Sequence, residues 1–392
     1  MNFFTKLDIF LHLIKWRMTW NKRNTSYLWP SLGNHKFVTA LQAAQKIKSG
    51  SVIATSGLAG NQRASIMYWA IRELFEKKQS PYPSNLTLMC TGGQGGRGKV
   101  PGTLEELGLN GLCTKFIVGH VETFKSLLKL ADLGETEIQC LPQGIIALLF
   151  DEQSKGNDSI LMPTGVGTYV DPRTGRGSIL NLDKNYKKTD WIPLATVEDE
   201  KIRYRIPKID VAIFNAPAAD KEGNIYVKNC AMIGESLQIA RAARKNNGIV
   251  IVNVGLIVEK GYDEIFLPAN DVDFIVAYPN TEQTGSVYHR KYWPFFTITK
   301  SDISPKEGIE RLRFINRVIG ITPKRTKMSD MLARLAASIF VKYARKNDFV
   351  NIGIGLPEEV CKILYDQDVL KDVTLCTEAG IIGGIPAPGI FF

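Results

Sequence analysis

From about residue 36 onward, apolar residues recur every three or four positions in some segments and form short uninterrupted runs in others. The first pattern predicts helices, and the second predicts buried strands when glycine or polar residues bound the run. Thr39-Ala-Leu-Gln42 is a capping box at a helix start, and Gly50 ends that helix. The predicted elements then run helix, strand, helix and strand, at 39–49, Ser51–Thr55, 66–74 and Asn85–Cys90.

The same order of elements returns near the C-terminus. A helix, a strand, a helix that Pro357 opens and a second strand are predicted at 329–345, Phe349–Ile352, 357 onward and Val373–Cys376. Aligned on the strands, "NLTLMCTGG" (85–93) matches "DVTLCTEAG" (372–380), so that Thr91 stands where Glu378 stands and Gly57 falls on Gly355. The repeat predicts an α/β protein with two related open domains.

Further elements between the two copies extend the first sheet. Apolar runs predict three strands, at Val211–Phe214, Ile249–Val254 and Val272–Ala277, and a helix at Glu235–Arg244. The aromatic and proline-containing segment 280–327 is predicted to connect the two domains.

Glu378 is the candidate for chemistry. It follows a predicted strand and enters a loop rich in glycine, with Gly380, Gly383 and Gly384 nearby. Ligands of open parallel sheets bind beyond the carboxyl ends of the strands, and glycine lets a ligand approach the backbone closely. The alternative is that Glu378 is only a solvated residue after a strand.

Other motifs carry weaker signals. Residues 93–98, "GQGGRG", match GxGxxG, but Pro101 and Gly102 interrupt the helix that a dinucleotide fold requires. In Leu141-Pro-Gln-Gly144, the Gln143 side chain and the Gly144 amide can donate hydrogen bonds to an oxyanion, and a turn that caps a helix is an equal alternative.

The nucleophile is predicted by elimination. The four histidines and six cysteines include no CxxC pair, and His120 is best read as a core or loop residue. These numbers disfavour disulfides, a metal site and a Ser-His-Asp mechanism. A carboxylate remains, and carboxylates do serve as nucleophiles.

Residues 1–35 form a basic amphipathic extension. Its apolar stripe at helical spacing consists of Phe3, Leu7, Phe10, Ile14 and Met18, and its charged residues interrupt the apolar run too often for a membrane span. A mitochondrial presequence and an extension without a specific role are both left open. The formal net charge of +10 indicates an anionic partner, which could be nucleic acid, a membrane surface or a phosphorylated small molecule.

The chain from residue 36 to 392 resembles the acetate/propionate/3-ketoacid CoA-transferases in which an α-like and a β-like half are fused. The resemblance is carried by six blocks in order: "TALQAAQKIKSGSVIATSG", "LPQG", "GVGTYVDPRTGRG", "APAADKEGNI", "NIGIGLPEEV" and "TEAGIIGGIPAPG". It implies an α-like domain at 36–279, a connection at 280–327 and, at 328–392, the start of a β-like domain that carries the catalytic Glu. This second domain is expected to be incomplete.

The resemblance also implies a mechanism. Glu378 is expected to attack an acyl-CoA and to carry CoA as a glutamyl thioester in a ping-pong cycle. Gln143 and Gly144 are expected to act as oxyanion donors, and Gly383 and Gly384 to contact CoA. Acyl-CoA and a small carboxylate are the expected partners, without nucleic acid, metal or other cofactor.

The resemblance extends to setting and assembly. A cytoplasmic enzyme of short-chain fatty acid or ketone body metabolism is expected, or a mitochondrial one if the chain is eukaryotic. The family continues well past the Glu segment, whereas this chain ends fourteen residues after Glu378. The alternatives to an active homo-oligomer are therefore an inactive remnant and a split enzyme that a C-terminal chain completes. The apolar run Ile381–Phe392 is then expected to promote association.

Overall fold

The fold comes from a computed structural model of the chain. It describes residues 1–19, 22–30, 32–58, 62–77, 82–98, 100–180, 192–228, 230, 233–259, 261, 264–281, 303–319, 326–353, 355–378 and 380–386. The chain forms two compact units: a larger one, Trp20–Tyr292, and a smaller one, Met1–Thr19 with Trp293–Phe392.

Helices and strands alternate along most of the chain. The helices are α1 (Phe3–Thr19), α2 (Ala40–Ala44), α3 (Ser65–Lys77), α4 (Lys125–Asp132), α5 (Gln143–Lys155), α6 (Ser236–Lys245), α7 (Pro305–Ile319), α8 (Lys327–Tyr343) and α9 (Leu356–Asp366). The strands are β1 (Val52–Thr55), β2 (Leu86–Cys90), β3 (Cys113–Val118), β4 (Glu137–Cys140), β5 (Ser159–Met162), β6 (Ala195–Glu198), β7 (Lys201–Arg205), β8 (Val211–Asp220), β9 (Ile225–Tyr226), β10 (Ile249–Val258), β11 (Phe274–Ala277), β12 (Phe349–Ile352) and β13 (Thr374–Thr377).

The larger unit is built on a parallel sheet. Its strand order is β11-β10-β8-β1-β2-β3-β4, every neighbouring pair on this path is parallel, and β9 adds an antiparallel pair to β8. A second, antiparallel sheet has the order β5-β7-β6. This arrangement confirms the predicted α/β class.

Helices cover both faces of the parallel sheet. Successive strand residues point to opposite faces, and neighbours such as Ile53 and Ala54 accordingly belong to different hydrophobic clusters. One cluster packs against α5 and α6, and the other packs against α2, α3 and α4. Burial on both faces explains why the strands are read as uninterrupted apolar runs in the sequence.

The predicted helix 39–49 is shorter than expected. The capping box is confirmed, with the Thr39 side chain accepting from the Gln42 backbone, but α2 ends at Ala44. Beyond it the backbone bonds shorten to three residues, as in Ile47 N to Ala44 O, and Ile47 is completely buried. The chain after Ala44 thus continues in tighter turns, and Ile47 packs in the same cluster as Ala40, Ala43 and Ala44.

Two strands are longer than the sequence predicts, and the domain boundaries are untested. Strands β8 and β10 have ten residues each and pair along most of their length, because both are central in the sheet. Segment 280–327 includes the fifteen-residue helix α7, and its role as a connection stays a prediction. The predicted boundaries at 35, 279 and 327 stay predictions, and the compact units are divided elsewhere.

The smaller unit contains the second βαβ copy. Strands β12 and β13 are parallel and α9 connects them, as the repeat predicts. Ile352, Cys361 and Leu375 form the core between the strands and α9, and Ile385 packs against them. Helix α8 packs on α9, and α1 packs on α7.

The predicted apolar stripe of α1 is on the opposite side of the helix from the buried residues. Ile9, Leu13 and Trp16 are buried, whereas the stripe from Phe3 to Met18 is exposed, with Phe3 and Met18 71% and 73% accessible. The helix has apolar residues on both faces, and α7, which lies far away in the sequence, determines which one is buried.

The loop "GQGGRG" is a packed element of the larger unit. The Gln94 side chain is buried, where its carbonyl oxygen accepts from Thr55 Oγ1 at 3.1 Å and its amide donates to Thr55 O at 3.3 Å. A 3₁₀ helix, Leu104–Leu107, follows the loop, and no dinucleotide-type helix does among the described residues. The glycines therefore serve close packing, as at Gly95.

We expect Gly95→Ala to destabilise the larger unit by about 1–3 kcal/mol. A Cβ at Gly95 would lie 2.1 Å from the Thr123 carbonyl oxygen, so the backbone must move. Gly33→Ala is the matched control, because a Cβ there has no neighbour within 4 Å, and its effect should stay within about 0.5 kcal/mol. Urea unfolding measures both, and equal midpoints for the two variants would contradict the packing argument.

Candidate active site

Glu378 lies at the tip of a tight turn after β13. The Gly380 amide donates to the Thr377 carbonyl at 2.9 Å, and the Thr377 amide donates to the Ile381 carbonyl at 3.0 Å. Cys376 and Ile382 form an antiparallel bridge, so the chain folds back beside the strand that it has just left. Glu378 is exposed at this tip. The carboxylate is therefore presented to solvent on a backbone that hydrogen bonds hold on both sides.

The glycines around Glu378 have separate tasks. Gly380 and Gly383 have positive φ values of 81° and 77°, which a residue with a side chain rarely adopts. The Gly383 amide donates to the Leu375 carbonyl at 2.8 Å and so closes the turn. A Cβ at Gly384 would lie 3.0 Å from Ile381 Cγ2. CoA contact by Gly383 and Gly384 stays a prediction. Residues 387–392 of the predicted apolar run Ile381–Phe392 are outside the described residues.

Gln143 and Gly144 begin helix α5 in the larger unit. Both are exposed, and the Pro142 side chain does not cap the helix. The first backbone N–H groups of a helix have no partner within it and carry partial positive charge. Gln143 and Gly144, the predicted oxyanion donors, thus also lie at the helix start that the alternative interpretation predicted. Glu378, Gly383 and Gly384 lie in the smaller unit.

Gly119 makes room for the Gln143 side chain. A Cβ at Gly119 would lie 2.4 Å from Gln143 Cγ and 2.5 Å from the Thr91 carbonyl oxygen. Gly119 follows β3, and its amide donates to that same Thr91 oxygen at 3.1 Å. The carboxyl ends of β2 and β3 therefore hold Gln143 directly beside Thr91.

One carboxylate at the carboxyl ends of β2 and β3, that of Glu235, was not predicted from the sequence. Thr91 is buried, and its hydroxyl donates to Glu235 Oε1 at 2.9 Å. In the repeat alignment Thr91 corresponds to Glu378, so the larger unit also has a carboxylate here, supplied by the residue before α6. In the sequence, Glu235 was predicted only as the start of a helix. Ser56 Oγ is buried with no hydrogen-bond partner among the described residues.

The pairing of the strands shifts the alignment of the two repeats by one residue at the turn that follows β1 and β12. Val52 pairs with Thr87 in the first copy, and Phe349 pairs with Thr374 in the second. Because Thr87 and Thr374 correspond, the pairing aligns Leu58 with Gly355, and the expected match of Gly57 with Gly355 is wrong by one position.

The block "GVGTYVDPRTGRG" folds around a buried Asp171. Its carboxylate accepts from the Arg173 guanidinium at 2.9 Å and from the Gly167 amide at 2.9 Å. The Arg173 guanidinium and then the backbone amides hold the pKa of Asp171 well below its usual range. The carboxylate stays ionised at neutral pH and organises this loop.

His120 and the two buried cysteines Cys113 and Cys361 are poor alternatives to a carboxylate nucleophile. His120 is an exposed loop residue whose Nε2 is 3.6 Å from Glu122 Oε2. Burial raises the pKa of Cys113 and of Cys361 to about 12, which keeps both thiols protonated at neutral pH. The described residues contain no cluster of metal-ligand type. They also contain no helix with the length and hydrophobicity needed to cross a membrane.

Comparison with known proteins identifies CoA-transferases as relatives of this chain. The chain is 31% identical over 359 residues to caffeate CoA-transferase of Acetobacterium woodii, a match that covers 90% of this chain and 63% of that protein. It is 25% identical over 369 residues to acetate CoA-transferase YdiF of Escherichia coli K12, covering 92% of this chain and 64% of that protein. The chain thus spans less than two thirds of the length of these relatives.

Solved structures support the fold. A thioester complex of acyl-CoA transferase YdiF from Escherichia coli O157:H7 with CoA superposes with a TM-score of 0.72 at 22% identity, covering 90% of this chain and 66% of that one. The family model described as coenzyme A transferase matches residues 38–278, which is more than half of the chain. The chain therefore belongs to the coenzyme A transferase family.

Proposed function

We propose that this chain carries the catalytic part of a CoA-transferase that moves CoA from a short-chain acyl-CoA to a carboxylate acceptor through Glu378. The observation that carries the proposal is the position of Glu378, exposed at the tip of a hydrogen-bonded turn after a parallel strand. A nucleophile must reach its substrate without steric hindrance, and the glycines beside Glu378 add no side chains around it.

The reaction has two halves. The Glu378 carboxylate attacks the thioester carbonyl of the donor and expels CoA thiolate, which leaves an acyl-glutamyl anhydride. The thiolate attacks the glutamyl carbonyl, releases the donor acid and leaves a glutamyl-CoA thioester. An acceptor carboxylate then attacks that thioester, and the expelled thiolate attacks the acceptor's acyl carbonyl in the new anhydride. The new acyl-CoA leaves, and the free carboxylate returns.

Each attack develops negative charge on a carbonyl oxygen. Amide donors already in position stabilise such an oxygen without reorganisation, and the N-terminus of a helix adds its dipole. We assign this task to the Gln143 side chain and the Gly144 amide, which begin α5 without a side-chain cap. The mechanism requires neither a metal nor a further cofactor, since CoA is itself a substrate.

The names of the relatives limit the range of acceptor acids to be tested. Caffeate and acetate CoA-transferases share the chain's family and differ in the size of the acid that they name. We propose a small carboxylic acid, to be sought with a panel that extends from acetate, propionate, butyrate, lactate and acetoacetate to caffeate. The chain's formal charge of +10 favours the phosphates of CoA.

Initial-rate kinetics tests the proposal. With donor and acceptor varied together, a ping-pong transferase gives parallel double-reciprocal lines, because the first product leaves before the acceptor binds. Added chelator should leave the rate unchanged. Intersecting lines would indicate a ternary complex and contradict the glutamyl-CoA intermediate, and acyl-CoA hydrolysis without transfer would contradict the function.

A further inference from the structure

Helix α1 has two apolar faces with different surroundings. Ile9, Leu13 and Trp16 are buried, α1 packs on α7, and the Met1 ammonium pairs with Glu310 Oε2 at 2.8 Å. These contacts fix both the position of α1 and its rotation about its own axis. The other face is therefore held outward.

This outward face, named here the exposed α1 face, is long and continuous. It comprises Phe3, Phe4, Leu7, Phe10, Leu11 and Ile14, with Met18 at its end, and all of these side chains are exposed. At 100° per residue they fill about a third of the helix circumference along nearly its whole length. An apolar surface of this extent marks an interaction site.

Basic residues border the exposed α1 face. Lys6 and Arg17 lie along one edge, Lys15 lies along the other, and all three are exposed. Asp8, on the same edge as Lys15, is the single acidic residue of the helix. When an apolar helix face enters the lipid, long basic side chains at its edges extend toward the headgroup layer. Anionic headgroups attract these charges.

We propose that the exposed α1 face binds the surface of an anionic lipid membrane, with the helix lying in the interface plane. Charge complementarity favours lipid over an apolar protein groove, because three basic side chains border the apolar residues against the one carboxylate of Asp8. The buried face keeps the helix attached to the smaller unit, so binding recruits the folded protein rather than a detached peptide. Helix α1 precedes residue 38, where the family match begins, so the family relationship does not account for this face.

Vesicle flotation of the full chain tests this proposal. We expect the protein to float with phosphatidylcholine vesicles that contain phosphatidylglycerol, and to bind pure phosphatidylcholine at least roughly tenfold more weakly. Phe4→Glu should reduce binding to the anionic vesicles by at least roughly tenfold, because it places a charge in the apolar face. Lys6→Glu combined with Lys15→Glu should remove the preference for anionic lipid.

Leu133→Glu is the matched control. Leu133 is an exposed apolar residue at the end of α4 in the larger unit, and its side chain is 61% accessible compared with 78% for Phe4. We expect this variant to bind vesicles like the unaltered chain. Three results would overturn the proposal: no flotation of the unaltered chain, equal losses for Phe4→Glu and Leu133→Glu, or a Phe4→Glu variant whose sedimentation mass falls while vesicle binding is unchanged. The last result would assign the face to a contact between copies of this chain.

Discussion

Glu378→Gln lowers CoA transfer by at least roughly 10³-fold, because the neutral amide is a far weaker nucleophile than the carboxylate. The substitution keeps the size of the side chain and leaves the backbone bonds of the turn intact, since the turn is closed by main-chain groups of Thr377, Gly380 and Ile381. Transfer rates should fall without any change in the thermal midpoint.

Glu222→Gln is the control for that prediction. Glu222 is likewise an exposed glutamate in a tight turn, the one between β8 and β9, and its side chain has no assigned role. Its replacement should leave transfer unchanged. A Glu378→Gln variant with at least a tenth of the unaltered rate would rule out Glu378 as the nucleophile, whatever the control shows.

Gln143→Ala lowers kcat by about 10²-fold, the typical loss for one oxyanion donor. The donor amide is removed at the exposed start of α5, where the side chain lies against Gly119 and supports no buried core. The expected loss is therefore in kcat, with little change in stability. Steady-state kinetics and thermal unfolding of the same preparation separate the two quantities.

Gly144→Ala separates an effect on substrate access from an effect on the stability of the fold. A Cβ at Gly144 meets nothing within 4 Å, and alanine is favoured over glycine in a helix, so stability should be unchanged or higher. Transfer should nevertheless fall roughly tenfold or more, because the methyl group occupies space that the reacting carbonyl needs. Full activity in both Gln143→Ala and Gly144→Ala would remove the oxyanion role from this helix start.

The local signals in the sequence predicted the elements well. The capping box at Thr39, the strand that leads to Glu378 and the apolar runs of β8 and β10 depend on neighbouring residues or on burial on both faces. Such features are encoded within a few positions of the chain. The resemblance added the family, which the match over residues 38–278 confirms.

Contacts between residues that are far apart in the sequence could not be predicted from such local signals. Thr91 and Glu235 are 144 positions apart, so no local pattern brings that carboxylate to the end of β2. The orientation of α1 depends on α7, because the helix offers apolar residues on two sides.

The central claim is that Glu378 carries CoA during transfer. The direct measurement is to incubate the protein with acyl-CoA in the absence of acceptor, reduce it with borohydride and identify the modified peptide by mass spectrometry. Borohydride reduces a glutamyl thioester to the alcohol and does not attack a free carboxylate. We predict that the peptide containing residue 378 acquires this change and that the Glu378→Gln variant does not. An unmodified Glu378 peptide from a preparation that transfers CoA at its full rate would contradict the account.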